Sequence, residues 1–183
     1  MSKTKNDKKQ TSLINEEVRM GDEEFIVSKT NIRGHIIYAN RVFMEMSLLT
    51  EDQLINVNHN VIRHPDMPKG VFKFVWATLK KGKEFFGYVK NLRSDGRYYW
   101  VFANITPEYD LNGKLVGYLS VRRKPPVSAI EVIEPLYQQM LTIEQSASSD
   151  KTGVEKSLAF LHAELTRLDI DYQDLVINLF KGK

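Results

Sequence analysis

The chain has 183 residues and a formal net charge of +3, long enough for one domain with extensions but too weakly charged to argue for nucleic acid. Cysteine is absent, which excludes disulfides, thiolate metal sites, iron–sulfur ligation and a thiol nucleophile. No apolar run approaches the ~20 residues that cross a bilayer, and the opening MSKTKNDKKQ lacks the apolar core of a secretory signal, so a cytoplasmic protein without direct membrane insertion is expected.

Residues 1–20 are polar, with little periodicity, and read as a flexible tail or cap with a short helix near Leu13 to Val18. From residue 21 the texture changes. Two β-rich runs, Phe25 to Thr30 and His35 to Ala39, flank the turn-like Asn31-Ile32-Arg33-Gly34 and predict a hairpin. RVFMEMSLLTEDQLI then predicts short helical segments, the second capped by Thr50. NHNVIRHPDMPK leads into a helix over Lys69 to Lys81 that stops at Gly82, with Asp66 a candidate N-cap and Pro68 suited to the first turn. Three strands follow, FFGYVKNLR, RYYWVFANIT and KLVGYLSVRRK, parted by turns at Ser94-Asp95-Gly96 and Asp110-Leu111-Asn112-Gly113.

Pro125 and Pro126 end the last strand, so residues 21–126 form the main unit. Residues 127–146 read as an amphipathic connecting helix that begins with a capping box, Ser128 and Glu131, and should kink at Pro135. Residues 147–183 read as a helical hairpin with a second capping box at Thr152 and Glu155. Its stripe of Val154, Leu158, Leu161, Leu165 and Leu168 is too large for some thirty residues to bury alone, so it should dock on the domain or on a partner.

The order of two strands, helices and a three-strand meander is that of an α+β PAS fold with a five-stranded antiparallel sheet. The blocks VSKTNIRGHIIYAN, HNVIRHPDMPK, FVWATLKKG, VKNLRSDGRYYWVFAN, GYLSVRR and AIEVIEPLY resemble the flavin-binding PAS domains of bacterial aerotaxis and energy-taxis receptors, the Aer and CetB type. That resemblance implies FAD as cofactor, with Arg63, His64 and Asp66 as the RHPD element and Trp76 as an aromatic wall. Asn40, His59, Asn60, Phe72 and Asn91 fall at matching pocket positions. Two places depart from the pattern: Leu48-Leu49 stand where Gly-Tyr is common, and Asn56-Val57-Asn58 replace a Gly-Lys-Pro type turn.

The residues suit such a ligand on physical grounds. FAD offers an apolar tricyclic ring with an amide-like edge and a pyrophosphate, so its pocket needs apolar walls, a few directed hydrogen bonds and positive charge. Phe72 and Trp76 are one helical turn apart, and strand alternation puts Gly87, Val89 and Asn91 on one face. Compared with light-oxygen-voltage domains, which are flavin-binding PAS relatives, the ring-reading asparagine falls at Asn91 and the signalling glutamine near Arg122, where a guanidinium would stabilise negative charge on a reduced ring. Without cysteine, adduct-forming light sensing is excluded.

Plainer readings stand beside these. Phe72 and Trp76 on an amphipathic helix are ordinary core residues in most proteins, and Lys80-Lys81-Gly82-Lys83 reads as a solvated helix end. His59 and His64 lie five apart in a loop, which is not a helical ligand pair, so a haem or metal site is the weaker reading. No glycine-rich nucleotide motif or catalytic pair points to a flavoenzyme. The expectation is a redox sensor that is not an enzyme. Because no output domain follows, its signal should pass in trans to a membrane-bound methyl-accepting-type signalling protein, with homodimerisation possible. The alternative is a cofactor-free PAS module for dimerisation or scaffolding.

Overall fold

A computed structural model describes residues 12–182. Strands β1 (Ile26–Asn31), β2 (Ile36–Ala39), β3 (Phe85–Leu92), β4 (Tyr98–Tyr109) and β5 (Leu115–Arg123) form one antiparallel sheet in the order β2-β1-β5-β4-β3. The register sets Ala103 opposite Arg122 and Arg122 opposite Ile26, while Asn91 faces Tyr99 and Val89 faces Val101. Alternation therefore sends Asn91, Val89, Ala103, Ser120, Arg122 and Ser28 to the same, inner face.

Helices α1 (Arg41–Ser47), α2 (Glu51–Leu54) and α3 (Lys69–Leu79), with a 3-10 turn at His59–Ile62, close over that face. α1 starts at Asn40, whose Oδ1 accepts from Phe43 N at 3.1 Å. Thr50 caps α2 as expected and does so through a capping box, Gln53 Oε1 accepting from Thr50 N at 2.9 Å. In α3, Val71, Val75 and Leu79 recur every fourth residue and are buried in the main core, which leaves Phe72 and Trp76 on the adjoining stripe. The helix ends at Leu79, and Gly82 turns the chain at φ +72°, a conformation that suits glycine.

The C-terminal helices α4 (Val127–Gln145), α5 (Asp150–Arg167) and α6 (Tyr172–Phe180) close over β3, the edge strand, and the outer face beside it. Tyr88 Oη donates to the Val176 carbonyl at 3.1 Å, Tyr137 Oη donates to the Tyr88 carbonyl at 3.0 Å, and Phe180 stacks on Phe102 with ring centroids 4.4 Å apart. Of the α5 stripe, Leu161 is buried in this core and Leu165 packs against it, whereas Leu168 stays 51% exposed, so the stripe docks on its own domain in part. α4 runs unbroken across Pro135.

Several local expectations need correction. Residues 1–11 of the expected tail lie outside the described residues, but Leu13 to Val18 are not helical and Glu17 forms a β-bridge with Tyr98. Ile14 N donates to Gly96 O, Tyr98 N to Glu16 O and Val18 N to Tyr98 O, because β5 stops opposite Phe102 and leaves the start of β4 with unpaired backbone groups. α4 begins at Val127, so Ser128 lies inside its first turn, and α5 is capped by Ser149, whose Oγ accepts from Thr152 N at 3.2 Å. Asp66 does not cap α3. The cap comes from Glu144 of α4, whose carboxylate accepts from Lys69 N and Gly70 N, while Asp66 pairs with Lys90.

Candidate functional site

Between the inner face of the sheet, α3 and the 3-10 turn lies a cavity of about 550 Å³, within the range of small-ligand pockets. Val89, Ala103, Ile105, Ile62, Val75, Leu79 and Phe72 give it apolar walls. Trp76, 39% exposed, stands at its outer side, edge-on to Tyr118 with centroids 5.3 Å apart. Among the described residues no carboxylate lines the cavity, whereas Arg33, Arg63, Lys80 and Arg122 do.

The polar floor is organised by Arg122, only 3% exposed. Its Nε donates to Ser120 Oγ at 2.9 Å, and its Nη2 donates to Ser28 Oγ and to His59 Nε2, the latter at 2.8 Å. Accepting at Nε2 places the proton of a neutral His59 on Nδ1. Although part of His59 meets solvent, its imidazole is directed inward beside the guanidinium; burial and the Arg122 charge hold its pKa down at about 3. Burial lowers the Arg122 pKa to about 10, so the group stays cationic at neutral pH. Among the described residues no carboxylate pairs with it.

Two buried donors in this wall have no partner, Asn91 Nδ2 and Arg122 Nη1. Leaving such groups unpaired is costly, on the order of 1–3 kcal/mol for a neutral group and more for a charged one. An apolar chamber with two unsatisfied donors fits a flat, largely apolar ligand with acceptor atoms along one edge, and so fits a flavin ring.

The structure brings together His59, Asn60, Arg63, Phe72, Trp76, Asn91 and Arg122 on the cavity wall. It places Asn40, His64 and Asp66 elsewhere. Asn40 is a fold staple: Oδ1 accepts from both Val27 N and Phe43 N, and Nδ2 donates to the Phe25 carbonyl, tying β1 to α1. His64, buried, turns its Nδ1 to Asp66 N at 3.1 Å and meets the Tyr98 ring edge-on. Asp66 Oδ2 is 2.8 Å from Lys90 Nζ, which lies over the Tyr98 ring and also reaches Glu134 of α4 at 3.3 Å. The RHPD element therefore divides. Arg63 faces the cavity, its guanidinium 4.2 Å from the Phe72 centroid and donating to the Met67 carbonyl, and its backbone bridges to that of Asn91. The other two members fasten the loop to the outer side of β3.

Sequence reasoning missed Ser28 and Ser120, the hydroxyls that hold Arg122. Period-two alternation was the available signal, since Ser28 and Ser120 share the face of Asn91 and Ala103. It also set aside Lys80, which lines the cavity at the end of α3.

The comparisons agree with this architecture. Residues 36–122 match the family model described as PAS fold, so this stretch of the chain is a PAS domain. The chain is 40% identical over 121 residues to the aerotaxis receptor of Escherichia coli strain K12, covering 66% of this chain and 24% of that receptor. It is also 30% identical over 151 residues to a nitrogen fixation regulatory protein of Klebsiella oxytoca, covering 82% of this chain and 28% of that protein. The chain thus spans about a quarter of the length of these curated relatives. Among solved structures it is similar to a PAS domain from Colwellia psychrerythraea, with TM-score 0.51, 22% identity and coverage of 55% of this chain and 85% of that one. A light-oxygen-voltage domain studied with a flavin analogue matches with TM-score 0.54 and 21% identity over 63% of this chain and 86% of that one. At these identities the likeness concerns the fold. The chain carries a PAS domain similar to those of signalling proteins, and no helix among the described residues is long and apolar enough to cross a membrane.

Proposed function

We propose that the chain binds FAD in this cavity and reports its redox state. The observation that carries the reading is Arg122: a cation buried on the floor of an apolar chamber, held by two serines and a neutral histidine, with no carboxylate beside it among the described residues. An uncompensated buried charge is expensive unless a partner offsets it. When bound, the flavin supplies redox chemistry, and its reduced forms place negative charge on the ring edge. Arg122 would hold that charge, while Asn91 would orient the same edge through its free amide hydrogen. Phe72 and Trp76 would flank the ring, and Arg63 would close the wall beside Phe72.

A changed charge at Arg122 and Asn91 acts on β3, whose next residue, Lys90, holds Asp66 and Glu134 on the opposite side. A population shift requires different contacts in two states, and this joint offers a place for them. The resemblance to an aerotaxis receptor supports a cytoplasmic energy-taxis role, with output to a separate membrane-bound methyl-accepting-type signalling protein.

The test is the absorption spectrum of freshly purified protein, with reconstitution of any colourless material and identification of the released chromophore by mass. A two-band flavin spectrum with FAD released is expected. Trp76→Ala and Arg63→Ala should lose the colour while circular dichroism still reports a folded domain. Protein that stays colourless after reconstitution leaves a scaffold module, and a Soret band indicates haem.

A further inference from the structure

Helix α3 turns a single row of side chains outward. Lys69, Lys73, Trp76, Ala77 and Lys80 are exposed, whereas Gly70, Val71, Val75 and Leu79 are buried. The steps from Lys69 to Lys73, Trp76 and Lys80 are four, three and four residues, which sets these side chains one above another along a ridge of roughly 16 Å. Every charged residue from Lys69 to Lys83 is a lysine. Among the described residues Lys69 pairs with Asp150 at 2.5 Å, and Lys73, Lys80, Lys81 and Lys83 lie within ion-pair distance of no carboxylate.

Helix electrostatics explains one end of this row but not the other. Lysines in and after the last turn are favoured by the negative end of the helix dipole, so Lys80, Lys81 and Lys83 need no further reason. Lys69 and Lys73 stand at the positive end, and no acid occupies the first turn of α3. By contrast, α2, α5 and α6 each place an acid in that turn. Lys69 and Lys73 also repel each other at i, i+4. The free N–H groups there are met instead by Glu144, whose carboxylate arrives from α4. A cationic ridge that works against its own helix is the charge pattern of a surface kept for an acidic partner.

We propose that this ridge docks an acidic helix of a partner protein, with carboxylates against Lys69, Lys73 and Lys80 and an apolar side chain on Trp76. The spacing is that of one helix face, so a second helix can follow the row over its full length. An anionic membrane fits less well. A bilayer surface would meet the exposed Asp150 carboxylate beside Lys69, and would find only Trp76 and Ala77 as apolar contacts on the ridge. Trp76 also stands edge-on to Tyr118 in the cavity wall, so the docked helix would sit over a residue that reaches the candidate site. Docking of this kind needs the ridge and does not depend on what fills the cavity.

The experiment presents the purified full chain with three probes. One is a labelled helical peptide carrying glutamates and one leucine at the spacing of the ridge, one is a peptide of the same composition with the glutamates spread around the helix, and the third is vesicles of phosphatidylcholine with phosphatidylserine. The patterned peptide should bind more tightly than the scrambled one, and the double variant Lys69→Gln, Lys73→Gln should weaken it by about fivefold, as two exposed charge pairs allow. Removing the same charge off the ridge, at the exposed Lys114→Gln and Lys181→Gln, should leave binding unchanged. The ridge variant should melt no lower than wild type, because it takes cations from the positive end of α3. Equal binding of the two peptides, binding of neither, or an equal loss in the off-ridge variant overturns the inference. Vesicle binding that depends on Lys69 and Lys73 while the patterned peptide stays free overturns it in favour of a membrane surface. A marked fall in Tm of the ridge variant overturns it by making the lysines structural.

Discussion

Glu144 caps the helix that begins at Lys69, although 75 residues separate them. Its carboxylate accepts from Lys69 N and Gly70 N at 2.8 Å each, and Ser157 Oγ donates to it at 2.7 Å, so one acid joins α3, α4 and α5. A negative group on the free N–H groups of a helix is favourable both as a hydrogen-bond acceptor and against the helix dipole. Glu144→Ala should therefore cost about 1–2 kcal/mol, a fall in Tm of about 3–6 °C for a domain of this size. Glu144→Gln keeps an acceptor and should lose less. Thermal unfolding of both variants checks this; equal losses would show that packing rather than capping dominates.

Leu48 closes α1 at φ +54°, in the left-handed region, and is 46% exposed. Its side chain gains little there, and its Cβ strains the backbone where glycine would not. Leu48→Gly should raise stability by about 0.5–1 kcal/mol. The readout is a higher urea midpoint with an unchanged slope.

Asn91 gives a way to separate a ligand group from a structural one. Its Nδ2 is buried without a partner, so Asn91→Leu removes an unsatisfied donor from the cofactor-free protein. The apo form of the variant should be more stable by about 1 kcal/mol while flavin affinity falls. An apo form that loses stability would mark Asn91 as a structural residue.

His59 predicts a pH dependence. Its folded pKa, about 3, lies below the ordinary histidine value of 6.5, so the unfolded chain binds the extra proton between those limits. Stability then rises with pH across that window and falls on acidification. Between pH 7 and pH 5 the loss from this group should be about 2 kcal/mol. In His59→Gln that part of the slope should disappear. A variant with the same pH profile as wild type would place the effect on other groups.

Elements with their own periodicity were legible in the chain. The hairpin, α3 and the three-strand meander each alternate or repeat at a period that reports which side is buried, and they arose within a residue or two of their predicted bounds, except that β4 runs three residues past Thr106 to Tyr109. What escaped notice was set by residues far apart in sequence. Asp66 looks like a cap beside Pro68, but the buried Lys90 outcompetes that local role, and Glu144 then supplies the cap from α4. The segment around Glu17 bridges to Tyr98 only because β5 leaves the start of β4 open. Within the site, the aromatic and amide positions could be read from the motif blocks. For the serines under Arg122, alternation gave the face, but only the register across β1, β5 and β4 shows that they meet its guanidinium.

The docking of α6 on Tyr88 and Phe102 makes the β3–β4 part of the sheet's outer face an occupied surface. The strip is occupied by a segment of the same chain, which sits at an effective concentration on the order of millimolar for a short tether. An outside molecule that needs this strip must displace a tethered rival, so its apparent affinity is set as much by how firmly Tyr88 holds the Val176 carbonyl as by its own contacts. Anything that loosens α6 would strengthen that outside binding without touching the surface it uses.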